Sequence, residues 1–452
     1  MRSRDATIWL LSLAVGTVLA DSAIVTLALP DILREFDVEV NTVAWVLISF
    51  NLVLAIVAVP AARICIRHGS RVWGLVGLVV FAAATAGCAL APSFNALLGA
   101  RVAQALGGAF VIAACLEMLV FTIGSDKKGA TRWALAGVTG AAIGPVVGGL
   151  LTAAISWQSI FIVQVPLVLL AFPAMYGLRA LVVKPEIEHD RPNVPANLAL
   201  ALLSAALTAA LFLLVLLIVE GWRKSPALAA LTVTVIPVAA FGARPLARQA
   251  RAGSQSESVA GIVLIAGGLA ALALLPDAEP VWTVPPQVLI GLGLGLTIDS
   301  LTQIALRERM PRTLHGGWTI AARHAGIVLG LAILTPIFTH DLKSAEQPAK
   351  EAIAAKVLDS QLPVASKITL ADGLGRQLAG ERGQIPDLHE AFVDANLPME
   401  QRPVGNQLEV SLNDQLQAAA THAFRTSFFV AALLALLALA PAFLLRDMVS
   451  RQ

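Results

Sequence analysis

The sequence predicts an all-α integral membrane protein with twelve transmembrane helices, six and six. Three observations carry that expectation. Hydrophobic residues make up 57% of the chain and charged residues 14%, where soluble domains carry about 25% charged. Apolar runs of about 20 residues, long enough to cross a bilayer, recur with only short polar breaks. One mixed-charge segment, 181–194 (LVVKPEIEHDRPNV), divides six runs from six.

The runs fall near 7–30, 42–62, 73–91, 94–123, 131–155, 158–180, 195–219, 226–247, 258–275, 284–306, 316–340 and 420–445. The first has a basic flank, MRSRDATIWLL, like a secretory leader. It contains Asp21, however, and continues to Pro30 with no small-residue cleavage site, so it reads as a first span. The expected organisation is 1–180, a linker at 181–194, and 195–452 with an insertion at 341–419. That insertion holds 7 Lys and Arg against 12 Asp and Glu and shows short helical patterns such as AKEAIAAKVLDSQL.

Short loops set the orientation, because Lys and Arg concentrate on the cytoplasmic side. Arg63, Arg67 and Arg71, then Lys127, Lys128 and Arg132, then Arg244, Arg248 and Arg251, then Arg307, Arg309 and Arg312 fall on one side. The short loops opposite carry only Arg34, Arg223 and Lys224. Both termini are therefore expected in the cytoplasm of a bacterial cell, with the insertion outside. The net charge of +2 is sorted by side and gives no reason to expect nucleic acid. Cys65, Cys88 and Cys115 lie in or beside apolar runs, with no metal-ligand or disulfide spacing.

Charges at membrane depth are costly and mark candidate functional sites. Asp21, Arg101, Glu117, Asp299, Arg323 and His324 all fall inside spans. At 1.5 Å per residue, Asp21 and Arg101 each lie about 12–15 Å from the outer end of their helices, and Glu117, Asp299 and Arg323 about 10–12 Å from the inner face. Two polar layers are thus expected, with an Asp21–Arg101 pair in the outer one. The fifth span carries Gly137, Gly140, Gly144, Pro145, Gly148 and Gly149, a small-residue stripe that lets helices approach closely.

These residues sit in motifs. ADSAIVTLALPDI (20–32), RVAQALGGA (101–109, Ala105 at a usual Gly), GAAIGPVVGG (140–149) and SWQSIFIVQVPL (156–167) resemble the signatures of the major facilitator superfamily, in its drug:proton antiporter branch. GLGLGL (291–296) and AARHAGIVLG (321–330) match weaker patterns of the same family. The resemblance implies a major facilitator fold, an alternating-access transporter, and a conformational role for Gly140, Gly144, Pro145, Gly148 and Gly149. One motif departs. The loop after the second span, ARICIRHGSR (62–71), has Ile66 where the family carries an Asp that latches one conformation.

The chemistry follows from the buried charges. Burial favours the protonated form of a carboxylic acid and a neighbouring guanidinium favours the ionised form, so an acid balanced between them can load and release a proton. Asp21, Arg101, Glu117, Asp299, Arg323 and His324 form the expected proton-coupling set, Asp21 ranking first because the family motif coincides with it and His324 serving as a secondary relay. Trp45, Ser49, Asn51, Gln104, Gln287, Thr297 and Gln303 are the expected substrate contacts, with Asn197, Ser204 and Thr208 the polar groups of the seventh span. Apolar walls with few polar groups suit a hydrophobic or amphiphilic ligand.

The expected function is export of such molecules by proton antiport, without cofactor or metal. The alternative is a dedicated exporter of a lipid or secondary metabolite, with 343–410 meeting an envelope partner. A second alternative is a transport-inactive scaffold or sensor displaying the insertion. An enzyme is not expected, since no nucleophile, base or metal cluster gathers at one depth.

Overall fold

The computed structural model describes residues 2–178, 191–250, 254–307, 309–380 and 388–445. Among these, twelve helices are long and apolar enough to span a bilayer. The first six spans are α1 (Arg4–Thr26), α2 (Val40–His68), α3 (Ser70–Ala89), α4 (Phe94–Ile123), α5 (Asp126–Ala154) and α6 (Ser159–Gly177). The next are α7 (Val194–Gly221), α8 (Pro226–Ala243), α9 (Gln255–Leu272), α10 (Pro280–Leu306) and α11 (Arg312–Asp359). Two insertion helices follow, α12 (Val364–Gly380) and α13 (His389–Asp394), and the twelfth span lies in α14 (Arg402–Phe443). The face holding the N-terminus is termed inner below, the opposite face outer. Most of the polar linker, residues 179–190, and the side chains of Arg244, Arg248 and Arg251 lie outside the described residues.

Local sequence sets the helix ends. Ser93, Ser125, Asn193 and Ser225 each accept a hydrogen bond from a backbone N–H in the first turn of the helix they precede, satisfying an otherwise orphaned donor. Gly124 ends α4 in the left-handed conformation at φ 69°, which a residue without Cβ adopts freely.

Small residues set the packing. On α5, a methyl placed on Gly140 would fall 2.1 Å from the carbonyl oxygen of Gly16, and one on Gly148 2.4 Å from that of Ile24. At Gly144 it would lie 3.0 Å from the Ala23 methyl. The stripe therefore seats α5 on α1 inside the first six spans. Gly149 differs, because its added methyl would fall 2.0 Å from the Ala230 methyl of α8, in the other six. In the second six, Gly326 and Gly330 of α11 meet the carbonyls of Ala201 and Ala205 on α7 at 2.0 and 2.1 Å in the same test.

The two sets meet along α2 and α11. Near the inner face, Gly317 packs on Ala58 and Ala62. At mid-depth His324 bonds Asn51. Near the outer face, Thr339 donates to Asn41 at 3.0 Å.

The insertion is a folded unit. The helix α11 runs 48 residues, about 72 Å at 1.5 Å per residue, more than twice the hydrocarbon thickness of about 30 Å. Its far end joins α12, α13 and the start of α14 around a core including Ile353, Val357, Leu362, Leu370, Leu374, Leu388, Phe392, Leu408 and Leu412. The sequence placed the end of the eleventh span near 340, but Pro336 and Pro348 do not break this helix. Leu358, beside Val357 of that core, is 69% exposed. The unit is tied to the spans by α11, by α14, and by Trp222 at the end of α7, whose indole N–H donates to Thr421 Oγ1 at 2.8 Å.

Candidate functional site

The outer polar layer is a sealed network inside the first six spans. Arg101 Nη1 donates to Asp21 Oδ2 at 2.6 Å, and both side chains are fully buried. Gln104, three residues on and hence on the same helix face, donates to Asp21 Oδ1 at 3.0 Å and to Thr85 Oγ1 at 2.9 Å. Its own Oε1 accepts from Arg101 Nη1 at 2.6 Å. Arg101 Nε donates to the Val46 carbonyl at 3.1 Å. The guanidinium also lies over the rings of Phe50 and Phe161, 4.3 and 5.8 Å from their centroids, an attractive cation–π arrangement. Four helices, α1 to α4, thus converge on one compensated ion pair. Sequence reasoning did not find Thr85, Phe50 or Phe161, whose residue types carry no signal of their own.

The inner residues separate. Glu117 accepts a hydrogen bond from the Ser70 hydroxyl at the start of α3, so this acid serves the inner turn of the first six spans. Asp299 and Arg323 instead share the wall of a cavity of about 190 Å³ between the two sets of six. His324, next to Arg323, points away from it and bonds Asn51 Oδ1 through Nδ1 at 2.6 Å. Asn51 Oδ1 also accepts from Ser22 at 3.2 Å, so α1, α2 and α11 meet at one buried polar junction.

The cavity walls are mostly apolar. Ala141, Ala142 and Pro145 of α5 face Ile236, Pro237 and Phe241 of α8, with Ala23 of α1 and Leu207 and Leu211 of α7. Its polar groups are Ser204, Thr208, Asp299 and Arg323. On the outer side, the Gly149–Ala230 contact brings α5 and α8 together. A larger crevice of about 570 Å³ lies outside, between the α9–α10 loop and the start of the twelfth span, lined by exposed charges such as Asp277, Glu279 and Asp414. It does not lie between the two sets, so the smaller cavity is the candidate transport site.

The expected substrate contacts lie elsewhere. Trp45 and Gln303 are exposed. Asn51 and Gln104 are used up in the buried networks above. Gln287 donates to Thr283 at 2.8 Å and Thr297 to the Gly293 carbonyl at 2.9 Å, both within α10. Ser49 is buried with its hydroxyl unpartnered and does not line the cavity. Hydroxyls and amides in membrane helices commonly satisfy their own backbone, and residue type alone does not reveal the face. Among the conformational residues, Pro145 reaches the cavity.

The family model described as Major Facilitator Superfamily matches residues 11–334. The chain belongs to the major facilitator superfamily. It is 31% identical over 239 residues to the methylenomycin A resistance protein of Streptomyces coelicolor, covering 52% of this chain and 49% of that one. It is 31% identical over 240 residues to the tetracenomycin C resistance and export protein of Streptomyces glaucescens, covering 52% and 44%. The multidrug efflux pump LfrA of Mycolicibacterium smegmatis is 34% identical over 162 residues, 35% of this chain and 32% of that one. The chain therefore spans about half the length, or less, of these relatives. Among solved structures, a bacterial homolog of the human lysosomal transporter Spinster superposes with a TM-score of 0.63 at 14% identity, covering 99% of both chains. That similarity is one of fold. The protein is a multi-pass membrane protein of this superfamily.

Proposed function

We propose that this major facilitator protein exports a hydrophobic or amphiphilic small molecule by proton antiport. The observation that carries the reading is the apolar cavity between the two six-helix sets, with Asp299 and Arg323 on its wall. A cavity between two packed sets is what alternating access requires, because rocking one set on the other exposes it to each face in turn. The resistance and efflux names of the relatives support the same direction of transport. The termini and the basic loops face the cytoplasm, and the insertion lies outside.

Coupling needs an acid that changes its surroundings during the cycle. Asp299 meets the cavity directly. Asp21 is locked with Arg101 and Gln104 in this state and becomes available to protons when the first set rearranges. Glu117 supports the inner turn, and His324 links the two sets. Purified protein in liposomes holding a pH-sensitive dye tests this. Addition of amphiphilic substrates should drive proton movement, and its absence across a broad panel would remove the antiport reading.

The folded insertion favours a second reading. A unit with its own core is more than a long loop needs, and a dedicated exporter that delivers a lipid or secondary metabolite to an envelope partner would use residues 343–410 for that contact.

A further inference from the structure

Arg323 is, among the described residues, the one guanidinium on the cavity wall. Among the described residues it has no hydrogen-bond or ion-pair partner, whereas Arg101 has Asp21, Gln104 and the Val46 carbonyl. Asp299, on the same wall, has an interaction of its own. His324, the sequence neighbour of Arg323, is bound to Asn51 and turned to α2. The same cavity also presents Ile327, Ile298, Leu207 and Leu294, the hydroxyls of Ser204 and Thr208, and the Asp299 carboxyl.

A guanidinium keeps its charge throughout the physiological pH range and presents five donors in a fixed planar fork. Taking such a group out of water costs several kcal/mol unless a counter-charge meets it. In a membrane protein, an ionisable group without such a partner is kept for a pathway or a ligand. The fork matches the two oxygens of a carboxylate in a bidentate pair, and the apolar walls match a hydrocarbon body.

We infer that Arg323 makes the cavity selective for organic acids, apolar molecules carrying one carboxylate that pairs with this guanidinium. The inference rests on the cavity being the transport site and narrows the substrate to an acidic class. A carboxylate seated there pairs with the guanidinium, and the cavity of about 190 Å³ takes the apolar body. Arg323 is in this account a specificity-determining residue. It carries no proton.

The test uses three ligands of one shape in the full-length protein in lipid nanodiscs: naphthalene-1-acetate, naphthalene-1-acetamide and 1-naphthylmethylammonium. Binding is read from naphthalene fluorescence. The acid should bind about ten-fold or more tightly than the amide, the value of one charge-assisted hydrogen bond, and the ammonium compound more weakly still. Arg323→Gln should abolish that preference, so that acid and amide bind alike. Arg323→Lys keeps the charge but loses the fork, and should retain part of the preference. Both variants are checked for monodispersity, and the amide reports that the cavity has survived.

Equal binding of acid and amide to the unsubstituted protein would overturn the inference. So would no binding of any of the three, or an acid preference unchanged in Arg323→Gln. Failure of the antiport reading looks different. Acid bound through Arg323, with no proton movement in vesicles, would leave this assignment standing and remove only coupling.

Discussion

His324 on α11 and Asn51 on α2 are joined by a 2.6 Å hydrogen bond that crosses between the two six-helix sets. Asn51 Nδ2 donates to the Leu47 carbonyl at 2.7 Å and Ser22 donates to Asn51 Oδ1. With the amide so oriented, His324 Nδ1 carries the hydrogen. All three side chains are buried, and Ser22 and Asn51 adjoin Asp21 and Phe50 of the sealed ion pair. A movement that separates α2 from α11 at this depth must break the His324 bond. The junction therefore stands between the cavity wall and the outer network.

Removing the acceptor tests that position. Asn51→Ala leaves the His324 N–H and the Ser22 hydroxyl buried without a partner, a cost of about 1–3 kcal/mol for each unsatisfied group. The penalty falls on the state in which the two sets are closed here, so the equilibrium should move toward the separated one. A Ser204→Cys reporter on the cavity wall would read this, because the three native thiols are buried. Its labelling rate should rise in the Asn51→Ala background, and an unchanged rate would show that the bond is passive packing.

The ion pair gives a second prediction, with two arms that separate stability from coupling. Arg101→Ala strands a buried carboxylate and should destabilise the protein by about 3–5 kcal/mol, seen as a lower thermal midpoint and poor yield. Asp21→Asn keeps the size and can still accept from Arg101, so the protein should insert and fold. It lacks the titratable group, and proton-driven export should be lost at every pH. Full transport by Asp21→Asn would take Asp21 out of the coupling set and leave Asp299 as the acid to test.

The sequence made the twelve spans legible because hydrocarbon length and apolar composition are properties of the chain itself. The Asp21–Arg101 meeting was also legible, since helix rise turns a residue number into a depth and only one cation shared that depth in the first six spans. The cavity was not. Its walls are mostly Ala, Val, Leu, Ile and Pro, the same residues that face lipid, and no periodicity separates lumen from bilayer in a helix apolar all round. Hence Asp299 and Arg323 could be given a depth but not a shared wall, and residue type alone did not reveal that Gln287 and Thr297 hydrogen-bond within α10. The end of α11 was missed for a related reason. Hydropathy stops at the membrane surface, but the backbone hydrogen bonds continue in water to Asp359.

Neighbouring glycines of α5 should behave differently, which is the third prediction. Gly148→Val forces bulk against the Ile24 carbonyl of α1, inside one set, and overpacking of this kind costs about 1–3 kcal/mol. It should lower stability without a preferred effect on either face. Gly149→Val instead pushes against Ala230 of the other set, on the outer side of the cavity. It should fold and insert, hold α5 and α8 apart, and raise labelling of a Ser204→Cys reporter from outside while stopping transport. Identical stability loss and identical labelling in the two variants would mean that the Gly149 contact is ordinary packing and not an outer closure.

The insertion yields the last prediction. Its helices are continuous with α11 and run into α14, so any tilt of these two elements is transmitted to a rigid body outside the membrane. Lys356 Nζ donates to the Ser411 carbonyl at 3.1 Å and binds those two stems to each other above the bilayer. Closing a long loop costs little, about 0.6 kcal/mol for each doubling of its length, so stability alone gives no reason to keep the unit. Replacing residues 345–410 by a short Gly/Ser linker should leave the twelve spans inserted, because the membrane-depth packing of α11 on α2 and α7 is untouched. The export rate should change, since α11 and α14 lose the brace that makes them move together. If vesicle transport is unaltered for every substrate and export falls only in cells, the unit acts by docking a partner in the envelope. If neither measurement changes, the brace and the partner both fall, and the unit has no part in transport.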